Sequence, residues 1–322
     1  MKVGIVGCGL IGGKRAAALV GTDDVLVATF DLAADKARAL AAKYEARACS
    51  SLDELLKLSD AVVVATTNDQ LTSLSIRAAA AAKHVVVEKP AARSAKELEP
   101  LAALAREKGV VVKVGFNHRF HPAALKARAI LDSGACGDVM FIRAQYGHGG
   151  RVGYDQEWRA DPEKSGGGEL IDQGVHLIDL SRWFLGDEFT DVQGRVETYF
   201  WNMPVDDNAF LTLATATHRV AHLQVSCTEW KNMFSLEIYA RNAKLHWEGL
   251  GGSYGPERLA HYEMRPEMGP PDAVIYQYAP FDRSWALEWQ DFSAAVKEKR
   301  RPCGDVVDAL EALKVVDRVY GR

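Results

Sequence analysis

Three glycines at G-x-G-x-x-G spacing, Gly7, Gly9 and Gly12, close the apolar run Lys2-Val3-Gly4-Ile5-Val6 and open an alanine-rich stretch. Glycine suits each place for a separate reason. Gly7 allows a tight turn, Gly9 lacks the Cβ that would block a pyrophosphate, and Gly12 lets the following helix approach the strand. Free N–H groups and a positive dipole end at the helix start complement the anion. Gly7, Gly9, Leu10, Ile11 and Gly12 are therefore expected to hold a dinucleotide. About twenty residues on, the run Val25-Leu26-Val27-Ala28-Thr29-Phe30 stops at Asp31, where an acid meets the adenosine ribose hydroxyls. That carboxylate repels a 2′-phosphate and Leu32 offers no cation, which predicts NAD over NADP; the alternative is that Asp31 only caps the helix beginning near Ala33. Thr66-Thr67-Asn68 lie at another strand's carboxyl end, where open α/β sheets bind ligands. Glu88-Lys89-Pro90 follows His84-Val85-Val86-Val87 in the same way, so Glu88 and Lys89 belong to the cofactor crevice, with a cis bond open to the proline. Further on, Gly168-Glu169-Leu170-Ile171-Asp172-Gln173-Gly174-Val175-His176 places Asp172 and His176 on one face of a helix.

The elements that must position these groups alternate between strand and helix up to Val110-Val111-Val112-Lys113-Val114-Gly115, the rhythm of a doubly wound parallel sheet. Beyond about residue 120 the pattern changes to longer alternating segments such as Val139 to Tyr146, Ala209 to Leu213 and Phe234 to Tyr239. These predict a large, open, mostly antiparallel sheet with one covered face. The expectation is an α/β chain of two domains, 1–120 for the nucleotide and 121–322 for substrate, closed by helices over Trp285 to Lys297 and Val306 to Tyr320. All seven tryptophans fall after residue 120, most of them expected in a core. With 322 residues, 48% hydrophobic and 25% charged, the chain can bury two cores. A net charge of -4 without a dense basic block predicts neither a nucleic-acid nor a membrane partner. The five cysteines are odd in number and scattered without a C-x-x-C pair, which predicts a reducing, cytoplasmic setting and no zinc. Cys8, inside the fingerprint, reads as a small side chain tolerated in a tight loop.

In four ordered motifs the chain resembles the Gfo/Idh/MocA oxidoreductases over essentially its whole length. These are the terminal G-x-G-x-x-G, Ala82-Lys83-His84-Val85-Val86-Val87-Glu88-Lys89-Pro90, Phe116-Asn117-His118-Arg119-Phe120-His121-Pro122, and Gly168-x-x-x-Asp172-x-x-x-His176. The one departure is Ala82, where the family often has glycine. The resemblance implies a Rossmann domain, a second α/β domain whose open sheet forms a dimer or tetramer interface, and a catalytic trio of Lys89, Asp172 and His176. It also brings Asn117 and Arg119 near the nicotinamide or substrate, with Trp158 and Arg159 added on the substrate side. Oxidising a secondary alcohol needs a base at the hydroxyl and a positive charge near the developing alkoxide. His176 is the candidate base, since imidazole titrates near neutral pH; Lys89 is the alternative, and Asp172 orients the ring or holds a neighbouring hydroxyl. The implied activity is NAD-dependent hydride transfer at a secondary hydroxyl or ketone of a sugar, an inositol or a nucleotide-activated sugar. Alternatives are an NAD-dependent glycosidase using transient oxidation and a sensor of NAD and sugar without turnover. The stretch Gly249 to Gly255 and the loop Pro266 to Pro271 are long enough to shape a pocket, which leans toward an activated sugar.

Overall fold

Short, wholly apolar runs become inner strands because a strand covered by helices on both faces has no side turned to water. In the computed structural model, which describes residues 1–267 and 269–322, the strands β1 (Lys2–Val6), β2 (Val25–Phe30), β3 (Arg47–Ala48), β4 (Ala61–Val64), β5 (His84–Val87) and β6 (Val112–Val114) form one sheet. They are all parallel, in the order β3-β2-β1-β4-β5-β6. The direction of winding reverses between β1 and β4, the switch point at which doubly wound sheets bind ligands. The connecting helices are α1 (Leu10–Ala17), α2 (Ala34–Lys43), α3 (Leu52–Leu58), α4 (Asn68–Ala80) and α5 (Ala95–Lys108). Local chemistry sets their ends. Ser51 and Ser94 accept from the backbone N–H groups of Glu54 and Glu97, and Gly109 ends α5 at a φ of 64°.

The next stretch carries α6 (Pro122–Asp132), β7 (Val139–Gly147), the short α7 (Pro162–Ser165), α8 (Val175–Leu185), β8 (Phe189–Glu197), β9 (Asn208–Thr215) and β10 (Val220–Ser226). It continues with β11 (Met233–Ala240), β12 (Ala243–Glu248), β13 (Arg258–Glu263) and β14 (Asp272–Gln277). Their order is β14-β13-β12-β11-β7-β10-β9-β8, antiparallel except for the parallel pair of β7 and β10. Along β7 the side chains alternate, Ile142, Ala144 and Tyr146 buried and Phe141, Arg143 and Gln145 outward. The covered face receives α8.

Two helices close the chain, α9 (Ser284–Glu298) and α10 (Val306–Tyr320). The chain divides into two compact units, Met1–Asn117 with Trp285–Leu310, and His118–Ser284 with Glu311–Arg322. A contiguous split at 120 misses this return. Trp289 and Phe292 of α9 complete the apolar cluster of Val3, Ile5, Leu26 and Val63, and the Trp289 indole donates to Asp24 at 2.9 Å. The tryptophans also differ from expectation. Only Trp247 and Trp289 are buried; Trp158, Trp183, Trp201 and Trp285 are half-buried and Trp230 is exposed. Met268, inside the loop Pro266 to Pro271, lies outside the described residues. Among the described residues no helix is long and apolar enough to cross a membrane.

Candidate active site

In the first unit, the glycine loop has the shape that its spacing predicts. Gly7 sits at a φ of 90°, and a Cβ there would lie 2.2 Å from the Ala65 carbonyl oxygen. A Cβ on Gly12 would lie 2.0 Å from the Gly7 oxygen, so helix α1 packs on the loop only because residue 12 has none. At Gly9 a Cβ would meet no atom within 4 Å. That open space above the first turn of α1, begun by exposed Leu10 and half-buried Ile11, is what a pyrophosphate requires. The Asp31 carboxylate accepts from the Cys8 N–H at 2.7 Å and from the Ala33 N–H at 2.8 Å. It therefore closes the turn ahead of α2, without capping a helical N–H, and ties that turn to the glycine loop. Burial, then the Asp31 charge, push the Cys8 thiol up to about 12, so the thiol is protonated near neutral pH. Thr67 is the residue before α4 and Asn68 its buried first residue.

The Lys89–Pro90 peptide is cis, and Lys89 is half-buried at the end of β5. Its neighbour Glu88, expected among the cofactor contacts, has its carboxylate engaged elsewhere. Arg15 of α1, fully buried, donates through Nε to Glu88 at 2.6 Å and through Nη1 to Glu288 of α9 at 2.5 Å. Burial works against the Arg15 charge, and the two carboxylates outweigh it and raise its affinity for the proton. Lys113 of β6 extends the network to Asp291 at 3.3 Å and to the Cys303 carbonyl. Charged side chains from α1, β6, α9 and the position after β5 are thus joined in one network. Asn117 is buried where the first unit ends.

In the second unit, Asp172 and His176 do not share the face of a regular α-helix. The chain makes one wide π turn over Leu170–Gly174 before α8 begins at Val175. Such turns re-aim side chains and recur at functional sites. The Asp172 carboxylate accepts from Arg159 Nε at 3.0 Å, and Asp172, ahead of opposing burial, raises the affinity of Arg159 for its proton. Arg159 also lies over the Trp158 ring, 4.6 Å from its centroid. The sequence-predicted residues Trp158, Arg159 and Asp172 are therefore brought together. His176 is 3% exposed, its ring 3.9 Å from that of His118 at an interplanar angle of 31°. Arg119 has a partner that its motif does not show. It is buried, and its guanidinium forks Asp179 of α8 at 2.8 and 2.6 Å, bracing α8.

Several site residues escape sequence reasoning. Asp206 accepts from the Gly168 N–H at 3.0 Å, the Leu170 N–H at 2.8 Å and the Tyr320 hydroxyl at 2.7 Å, which fixes the entry to the π turn. A Cβ on Gly168 would lie 1.9 Å from the Asp206 backbone carbonyl oxygen. Tyr146 and Tyr254 share a hydrogen bond, and burial raises both hydroxyls, that of Tyr254 to about 12. Buried Glu169 faces His148 Nε2 at 3.7 Å. Its place three residues before Asp172 was the only available signal; nothing in the sequence points from Asp206 or Tyr320 to this turn. Among the described residues no group of three or more His, Cys, Asp or Glu is arranged to hold a metal.

A family model described as an oxidoreductase family with an NAD-binding Rossmann fold matches residues 1–116, and the GFO/IDH/MocA C-terminal domain matches residues 124–246. The chain is 27% identical over 266 residues to scyllo-inositol 2-dehydrogenase (NAD(+)) of Bacillus subtilis (strain 168), covering 80% of this chain and 73% of that protein. To levoglucosan dehydrogenase of Pseudarthrobacter phenanthrenivorans it is 31% identical over 164 residues, 48% of this chain and 40% of that protein, so this match spans less than half of the relative's length. The structure of a levoglucosan dehydrogenase in complex with NADH and levoglucosan superposes with a TM-score of 0.89, covering 100% of this chain and 96% of that one. At 20% identity this last likeness shows the fold alone.

Proposed function

Since the chain belongs to the Gfo/Idh/MocA oxidoreductase family and begins with an NAD-binding Rossmann domain, we propose that it is an NAD-dependent dehydrogenase acting on a secondary hydroxyl of a sugar or polyol. The observation that carries this reading is the pairing of half-buried Asp172 with buried His176 across the junction of the π turn and α8, the imidazole packed on His118 and the carboxylate held by Arg159. Bound NAD supplies the hydride acceptor. His176 takes the hydroxyl proton as general base, a role for which an imidazole is suited near neutral pH. Lys89 provides positive charge for the developing alkoxide. Asp172 accepts a hydrogen bond from a neighbouring hydroxyl, its orientation set by Arg159. Gly7, Gly9, Leu10, Ile11 and Gly12 bind the pyrophosphate, with Asp31 at the adenosine ribose, Thr66, Thr67 and Asn68 beside the cofactor, and Asn117 toward the nicotinamide.

The test is to incubate the purified protein with NAD and a panel of inositols, aldoses and glycosides, and to follow NADH absorbance. Net NADH with at least one compound, and much less with NADP in place of NAD, is the expected result. Bound NAD without accumulation from any of them would remove the dehydrogenase assignment in favour of internal redox or sensing.

We propose further that copies associate through the uncovered face of the eight-stranded sheet. Register places Phe141, Phe210, Tyr239 and Ile275 on that face, with Phe141 stacked on Tyr239 at 4.3 Å. Sedimentation velocity of the protein and of a Phe141→Arg variant should show a dimer or tetramer shifting toward monomer. An unchanged distribution would place the interface elsewhere.

A further inference from the structure

Two chains of contacts run from the Asp172 turn to the surface of the second unit along the loop 148–160. One is made of rings. His148, which faces Glu169, lies 5.5 Å from Tyr154; Tyr154 lies 5.5 Å from Trp201, Trp201 5.2 Å from Phe200, and Phe200 5.3 Å from Trp230. The other is made of charges. Asp172 pairs with Arg159, Arg159 approaches Glu157 at 3.9 Å, and Glu157 pairs with exposed Arg151 at 2.6 Å. Near its inner end His148 is half-buried and Tyr154 buried, whereas the outer end is open: Phe200 is 55% exposed and Trp230 85%. Phe200 and Trp230 meet nearly at right angles, 82°, so the indole is held through that contact while most of its surface stays open.

Resting on the dehydrogenase reading above and narrowing its substrate class, we propose that Phe200 and Trp230 form a platform for the second ring of a neutral glycoside whose first ring reaches Asp172 and His176. Three features carry this. Exposed large aromatic groups linked by contacts to a polar cluster mark a ligand surface. Indole and phenyl faces receive the C–H faces of a sugar or an aromatic aglycone, while the bordering Arg151, Glu229 and the Asn232–Ser253 pair, bonded at 2.8 Å, offer partners for hydroxyls. Charge then selects against a nucleoside diphosphate. Glu157, Glu169, Asp172 and Glu229 outnumber Arg151, Arg159 and Lys231, and both arginines already face carboxylates. A diphosphate would enter a locally negative field.

Titration calorimetry in the presence of NAD, together with NADH formation, tests the platform with phenyl glucoside, cellobiose, glucose and UDP-glucose. Trp230→Ala and Phe200→Leu are each expected to raise the ratio of phenyl-glucoside Kd to glucose Kd about fivefold. Cellobiose should behave like phenyl glucoside, and UDP-glucose should bind more weakly than either. That outcome supports the platform whether or not NADH forms; missing NADH counts against the dehydrogenase reading alone. An unchanged ratio in both variants, tighter binding of UDP-glucose, no sugar bound at all, or a smaller assembly on sedimentation of Trp230→Ala would each overturn it. The last result would make the patch a contact between copies.

Discussion

Replacing His176 by alanine is expected to lower kcat by about a hundredfold to ten-thousandfold, the usual contribution of a positioned general base. NAD affinity should change by less than twofold, because the glycine loop and Asp31 belong to a different unit of the chain. The measurement pairs NADH production under saturating substrate with a fluorescence titration of NAD. Lys89→Ala should lose comparable turnover, since one variant removes the acceptor of the proton and the other the charge that favours its release. A His176→Ala enzyme that keeps a tenth of the original rate would remove the imidazole from the reaction. Truncation also takes away a ring stacked on His118, so a fold check belongs with it. His176→Asn, which retains a polar planar group, should be equally slow if proton transfer is what is lost.

Arg15→Met should be the most damaging single change to stability, about 3–5 kcal/mol, because it leaves two carboxylates, Glu88 and Glu288, without the guanidinium that both bind in a water-excluded place. The double variant Arg15→Met with Glu288→Met should recover part of that loss, since an apolar pair of similar volume avoids the desolvation of an ion. Urea unfolding of the two variants and the parent checks both statements. If the single variant unfolds within about 1 kcal/mol of the parent, the network is not under the load that its burial indicates.

Elements whose cause lies within a few residues were legible in the sequence. Val25–Phe30, His84–Val87, Ala95–Lys108 and Val306–Tyr320 have the boundaries their apolar spacing and caps predict. The glycine fingerprint was legible for the same reason, since a turn and a close approach are local requirements on the backbone. Contacts between distant stretches were not. No periodicity shows that Trp289 joins the same core cluster as Ile5, that Glu88 bonds Arg15, or that Asp206 holds the Gly168 N–H. Arg119 shows the cost of that gap. Its motif implied a place near the nicotinamide or substrate, and nothing in it shows that Asp179, sixty positions later, accepts from its Nε and Nη2. The π turn at Leu170–Gly174 was likewise invisible, because an Asp and a His four apart fit an α-helix equally well.

The return of α9 has a consequence for how the protein is made and handled. Translation delivers the amino end first, yet the cluster around Val3 and Ile5 stays incomplete until Trp289 and Phe292, almost three hundred positions later, have emerged. A gene fragment cut at the apparent boundary near residue 120 would expose that apolar surface and strand Arg15 without Glu288. Isolating the nucleotide-binding half therefore calls for a linker that stitches residues 285–310 onto it.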